Sequence, residues 1–275
     1  MITNNPKRRI PALLVHGWNS HPGIWNKLTP HLIQASIPVW KFDHTGLADK
    51  TIPEIAQAIG DYVRAKRDET GYTGMIDVVC HSVGTCIARY YLEVLDGTLH
   101  TAKARQLIGL GPPNNGSAMA ELFLDPVRGG EIINRLTGVF VPQGYDPSID
   151  RIVHDVRPES PVMHRLRTAG IRQDITYRII VTGNPGGVPD FFPLFEGRTW
   201  ERDADGRYRT TYAGDGLVTH DESAFPGITL DIIPAEPENG EDSVKPGQYC
   251  HINLPRNTVI MERVLRYLTL PVDAP

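Results

Sequence analysis

The sequence predicts an α/β fold, a mostly parallel sheet flanked by helices on both faces, and three observations carry that expectation. Short apolar runs alternate with amphipathic segments along most of the 275 residues. One of those runs ends on a serine in a glycine-bearing turn and passes at once into a helical segment. Hydrophobic residues make up 40% of the chain and charged residues 22%, globular values that supply the core of one large α/β domain over 1–275.

The first apolar run, Arg9-Ile-Pro-Ala-Leu-Leu-Val-His16, opens into Gly17-Trp18-Asn19, and the second, Ile37-Pro-Val-Trp-Lys-Phe42, into Asp43-His44-Thr45-Gly46. Both read as buried strands leading into polar loops. Residues 24–33 between them have helical spacing. Over 52–66, Ile52, Ile55, Ala56, Ile59 and Val63 share one face, and Pro53 suits a first helical turn. The strand 76–81 follows, then a helix over 85–95 that stops at Gly97, further strands at 105–110, 177–181 and 228–233, and a last helix over 258–268. Such alternation pairs strands in parallel through right-handed crossovers. Two stretches break it. Residues 117–174 are too long for a simple crossover, which predicts an inserted cap or lid. Residues 190–214 hold the polar turn Asp203-Ala-Asp-Gly-Arg207, which predicts a β-hairpin excursion.

A net charge of −4 gives no basic footprint for nucleic acid. The N-terminal stretch 1–10 has basic residues but no apolar core of a leader before Pro11, and no apolar run approaches membrane-spanning length. The expectation is a soluble, cytoplasmic chain with no integral membrane segment, and a leader removed ahead of residue 1 would leave the same reading. Three cysteines, 80, 86 and 250, do not form a disulfide framework. No cofactor is expected, and oligomeric state is not legible.

The chemistry sits in Ile76-Asp-Val-Val-Cys-His-Ser-Val-Gly84, where a buried strand delivers Ser82 into a turn at the head of a helix. In a nucleophile elbow that turn lifts the hydroxyl above the sheet; the plain alternative is a serine capping a helix. Cys80 stands where such elbows usually carry glycine, so packing beneath the serine should differ. Acyl transfer by serine also needs a base, a group to orient it, and donors for the oxyanion. Among ten histidines His251 is best placed, in a loop after the last strand and before the last helix. His81 should point elsewhere because neighbouring side chains diverge, and His16 and His220 lie in other loops. Asp215, between Gly214 and Gly216, is the acid candidate against the alternative of an Asp-Gly turn, with Asp190 next. The backbone N–H groups of Val83 and of Trp18, in the loop after the first strand, are the oxyanion candidates.

These segments together resemble the bacterial lipases and esterases of the α/β-hydrolase superfamily over most of the chain. Val15-His-Gly-Trp18 is similar to the family's oxyanion segment and Val79-Cys-His-Ser-Val-Gly84 to its elbow. Gly111-Pro-Pro-Asn-Asn-Gly-Ser117 is similar to its strand-end segment, 156–166 to a stretch of its cap, and Gly214-Asp-Gly-Leu-Val218 to its acid segment. The resemblance implies an α/β-hydrolase fold with a cap within 117–174, and a triad of Ser82, Asp215 and His251 with Trp18 and Val83 at the oxyanion hole. Many relatives bind calcium partly through an aspartate two residues after the histidine; Asn253 stands there, so no metal is expected. The Asn114-Asn115 pair replaces a usual histidine, so the pocket floor should differ.

The implied function is a serine carboxylic ester hydrolase acting on an apolar small-molecule or lipid ester. Apolar pieces of the cap, 122–124, 132–133 and 139–141, with Phe191, Phe192 and Phe195, are candidates to line an acyl pocket or to be ordinary core. An acyltransferase, amidase or thioesterase would use the same triad, and a non-catalytic binding protein would keep the fold without the chemistry.

Overall fold

A computed structural model describes residues 9–235 and 244–270; the basic N-terminal residues 1–8 lie outside the described part. The first strand, β1, runs over Ala12–Val15, and helix α1 over Leu28–Gln34 follows a single 3-10 turn at Pro22–Trp25. Strand β2 is Val39–Phe42 and helix α2 is Ile52–Thr70. The apolar runs that contain β1 and β2 begin two or more residues earlier than the strands. Pro11 and Pro38 account for the delay, because a proline has no N–H to enter a ladder. Helix α2 starts in a reciprocal cap between Thr51 and Glu54 and ends at Gly71, in the left-handed region at φ +62°.

Strand β3, Ile76–His81, is buried along its whole length. Helix α3, Gly84–Arg89, continues into a π-helical turn over Tyr90–Leu95, so the helix expected over 85–95 is present with a change of winding at Tyr90. Strand β4 is Ala104–Leu110. Between it and β5, Thr176–Gly183, the long connection forms four short helices, α4 at Ala118–Phe123, α5 at Gly129–Leu136, α6 at Arg151–Asp155 and α7 at Pro161–Ala169. Strands β6, Thr199–Arg202, and β7, Tyr208–Thr211, make the expected antiparallel hairpin. A four-residue helix α8 at His220–Ser223, strand β8 at Leu230–Pro234 and helix α9 at Thr258–Thr269 complete the chain.

The main sheet has six parallel strands in the order β2-β1-β3-β4-β5-β8. Helices flank it: α1 packs with α9, and α2 with α3. Its interior is close-packed around Leu13, Leu14, Trp25, Ile59 and Ile87, each at most 1% exposed. Among the described residues no helix is long and apolar enough to cross a membrane. All three cysteines are free and buried.

This strand order locates the site. The chain leaves β1 for β2 on one side and then returns to place β3 on the other, so the direction of winding reverses at the β1–β3 pair. Loops at the carboxyl ends of two such strands part and open a crevice. Val15 pairs with Cys80, which brings the loop that carries Trp18 beside the turn that carries Ser82.

Candidate active site

Ser82 leaves β3 at φ +55°, in the left-handed region that a residue with a side chain occupies at a cost of about 1–3 kcal/mol. Backbone bonds hold it there: the Ser82 N–H donates to Leu110 O at 2.9 Å, and Ser82 O accepts from the Thr85 N–H at 2.9 Å. The helix after the turn sits hard against β1. A Cβ on Gly84 would overlap the His16 carbonyl oxygen and lie 2.9 Å from that of Val15. Gly84→Ala should therefore destabilise the fold by about 2–3 kcal/mol despite alanine's better helix propensity, since the obstacle is backbone that cannot rotate aside. Urea unfolding monitored by circular dichroism checks this, and an unchanged midpoint would refute it.

Cys80 is fully buried and stands in register with Gly109 on β4. A Cβ at Gly109 would meet the Thr85 side chain at 3.1 Å. The space that lets α3 approach the sheet is thus provided one strand over, which is how cysteine is tolerated two residues before the serine. Burial pushes the Cys80 thiol well above its ordinary range, so it packs as a small apolar group.

His251 begins the 3-10 helical segment His251–Arg256 and is 5% exposed. Its Nε2 accepts from the Ser82 hydroxyl at 2.8 Å, and its Nδ1–H donates to Asp215 Oδ2 at 2.7 Å. Asp215, 1% exposed, accepts at Oδ1 from the Leu217 and Val218 N–H groups at 3.1 and 2.8 Å. The two loops are also joined through backbone, the His251 N–H donating to Asp215 O at 2.8 Å. The hairpin supports the acid loop, because Thr199 of β6 accepts from the Gly216 N–H at 2.8 Å. An imidazole held between a carboxylate and a hydroxyl in this way has its acceptor nitrogen facing the serine proton.

The second-choice acid, Asp190, is exposed in the 3-10 turn Pro189–Phe191, and Asp215 rather than Asp190 meets the imidazole. His81 corrects an expectation. It does not point away from the serine: its ring lies 4.8 Å from that of His251 and its Nε2–H donates to His251 O at 2.9 Å. The alternation of side chains along a strand ends where Ser82 turns into the left-handed region, so the inference from neighbouring positions fails there. Burial, and next the His251 ring, hold His81 well below the ordinary imidazole range, which keeps it neutral. His16 stacks on His44 at 3.7 Å and is pulled by burial to about 4, while His220 donates to Thr182 O at 2.9 Å.

A cavity of about 300 Å³ opens over Ser82 and His251, with Trp18 and Val83 in its wall. Neither the Trp18 nor the Val83 backbone N–H donates to a described residue. The Trp18 indole donates to Asp150 Oδ2 at 2.8 Å, a contact between the loop after β1 and the connection that holds α4–α7. Met119, Phe123, Val139, Phe140, Ile152 and Val156, all from that connection, supply much of the apolar wall. Of the proposed lining, 139–140 and Phe123 reach the cavity. Leu122, Ile132 and Val141 are core, as are Phe191, Phe192 and Phe195, with Phe192 packed against Gly216 of the acid loop and Phe195 against Trp200 of the hairpin. Apolar spacing marks a buried face without saying whether another side chain or a ligand covers it.

Asn114 and Asn115 do not line the cavity. Their side-chain amides donate to the carbonyls of Ser223, Asp221 and Ala224, tying the loop after β4 to α8. Asn253 lines the cavity and donates to Gly247 O at 2.8 Å. Among the described residues no cluster of three or more His, Cys, Asp or Glu side chains is arranged to hold a metal ion.

No protein-family model matches the sequence, and no curated protein matches it. Solved structures do resemble the fold. The mature lipase BlEst2 of Bacillus licheniformis aligns with a TM-score of 0.66 at 17% identity, over 96% of this chain and 94% of that one. The phospholipase PlaB of Legionella pneumophila gives 0.58 at 16% identity, over 95% of this chain and 60% of that one. The metagenomic carboxyl esterase MGS0156 gives 0.59 at 17%, over 95% and 76%. At such identities the likeness establishes the fold, that of the α/β-hydrolase lipases and esterases.

Proposed function

We propose that the chain is a serine carboxylic ester hydrolase of lipase or esterase type, working as one catalytic unit with 117–174 as a cap over the serine. The reading is carried by one observation: a serine in a strained turn, hydrogen-bonded to a buried imidazole that is bonded in turn to a buried carboxylate, at the wall of an apolar cavity. Its fold neighbours, which include a lipase and a carboxyl esterase by name, support it.

In the first half-reaction Ser82 Oγ attacks the ester carbonyl carbon as His251 Nε2 takes the hydroxyl proton. The carbonyl oxygen becomes an oxyanion facing the Trp18 and Val83 N–H groups. Collapse breaks the bond to the alcohol oxygen, which leaves with the proton from His251, and the acyl group remains on Ser82. A water then gives a proton to His251 and attacks the acyl carbon, and the acid departs as Ser82 regains its proton. Asp215 holds the imidazole in the tautomer each step requires and stabilises its cationic form.

A fluorophosphonate probe should label intact protein once per chain, and p-nitrophenyl esters should be hydrolysed faster as the acyl chain lengthens beyond acetyl. Intact mass spectrometry and a chain-length series read both. An unlabelled folded protein would reject the nucleophile, and an optimum at acetyl would replace the apolar acyl site with a short-chain esterase site.

A further inference from the structure

Among the described residues, the cavity wall over Ser82 carries one arginine, Arg256, and no lysine, aspartate or glutamate. Arg256 closes the segment that His251 opens, and its side chain is half-buried at the cavity. No described carboxylate lies within ion-pair reach of its guanidinium, and no described oxygen accepts a hydrogen bond from it. By contrast Arg89, Arg105, Arg172 and Arg263 all meet acids. Nor does the triad neutralise it. Asp215 lies behind His251, its oxygens taken by the imidazole and two backbone N–H groups.

Among the described residues, the titratable groups that share the cavity wall with Arg256 are the imidazoles of His21, His81 and His251, and the rest of the wall is apolar or uncharged. His81 is uncharged for the reasons above, and the charge of Arg256 reaches that ring and helps to keep it so. The backbone beneath the arginine is firmly set. Pro255 precedes it, the Asn257 N–H donates to Asn253 O at 3.0 Å, and the Asn257 amide donates to Gln248 O at 3.0 Å. A guanidinium anchored on a fixed segment beside an apolar wall presents planar paired donors suited to carboxylate or phosphate. Low surrounding polarity strengthens that attraction over its value in water.

We propose that Arg256 forms an anion-binding subsite of the candidate active site, so that the preferred substrates are esters carrying a carboxylate or phosphate besides the bond to be cleaved. This rests on the ester-hydrolase reading. The apolar wall holds the hydrocarbon part, and Arg256 holds the charged end. The anion can reside on the acyl side, as in a half-ester of a dicarboxylic acid, or on the alcohol side, as in a lysophospholipid.

Two matched pairs distinguish these sources: p-nitrophenyl hydrogen adipate against p-nitrophenyl hexanoate, and a lysophosphatidic acid against the monoacylglycerol of the same chain, all kept monomeric. For each pair the readout is the ratio of kcat/KM for the anionic member to that for the neutral one. The wild type should favour the anion in at least one pair. Arg256→Gln should lower that ratio about ten- to hundredfold, the effect of losing one charge-assisted hydrogen bond. Arg256→Lys should fall between, and Arg256→Glu should invert the preference. Because each ratio is internal to one protein preparation, a partly folded variant does not mimic the result. Ratios that are the same in wild type and Arg256→Gln for both pairs would overturn the subsite while leaving ester hydrolysis intact. No turnover of any of the four esters, with no labelling of Ser82, would overturn the hydrolase reading and the subsite with it.

Discussion

Replacing Ser82 by alanine is expected to remove fluorophosphonate labelling and to lower kcat/KM for p-nitrophenyl esters by about 10⁴- to 10⁶-fold, the scale seen when a hydrolase loses its serine nucleophile. The argument is geometric. The described residues offer the imidazole Nε2 one hydroxyl, that of Ser82 at 2.8 Å, and no thiol takes over, because burial pushes Cys250 up to about 11 and Cys86 to about 12. The fold should survive the change. Alanine meets the same strain as serine at φ +55°, and the turn is held by backbone bonds to Leu110 and Thr85 that need no side chain. The net loss is one hydrogen bond, about 1 kcal/mol. Circular dichroism and urea unfolding establish that the variant is folded, and intact mass reports labelling. A folded Ser82→Ala protein that still takes the label, or that hydrolyses esters within tenfold of wild type, would mean that another group attacks.

The three candidate residues were legible in the sequence from local setting and chain order: Ser82 ends a strand run, Asp215 stands between two glycines and His251 precedes the last helix, in the order serine, aspartate, histidine. The elements were legible for the same reason, with strand starts displaced where Pro11 and Pro38 delay pairing. What was not legible depends on where loops meet in space. Nothing in the residues around Trp18 announces its bond to Asp150, 132 positions later, and nothing around Gly214 announces Thr199 beneath the acid loop. His81 was misread because strand alternation was extended one residue too far, into a turn whose φ had changed sign. Phe191, Phe192 and Phe195 were ambiguous for a different reason. An apolar residue buried against its own hairpin and one facing a ligand obey the same spacing. Arg256 carries a usable signal, a lone cation five residues after the histidine, but its meaning requires knowing that no carboxylate among the described residues pairs with it.

Asp215→Asn should cost about as much as a triad aspartate is worth, on the order of 10⁴-fold in kcat/KM, while leaving the fold in place. The carboxylate has two separate duties. Oδ1 accepts from the N–H groups of Leu217 and Val218, and Oδ2 accepts from His251 Nδ1–H. Asparagine has one oxygen for both. If that oxygen stays on the two backbone donors, the amide NH₂ faces Nδ1 and the imidazole must carry its proton on Nε2, where it can no longer take one from Ser82. If the amide flips, its NH₂ opposes two backbone N–H groups in a buried site, leaving three donors without acceptors. The side chain cannot swing to a third position, because Gly111 packs so closely that a Cβ there would lie 2.5 Å from Asp215 Oδ2. The first arrangement is the cheaper one, so the variant should fold and fail to turn over. Asp190→Asn is the matching control: exposed and away from the imidazole, it should change kcat/KM less than about twofold, as surface substitutions usually do. Steady-state hydrolysis and the rate of fluorophosphonate labelling, which depends on the same proton transfer, should fall together in Asp215→Asn. If Asp215→Asn keeps a tenth of the wild-type rate while Asp190→Asn loses it, the acid has been misassigned.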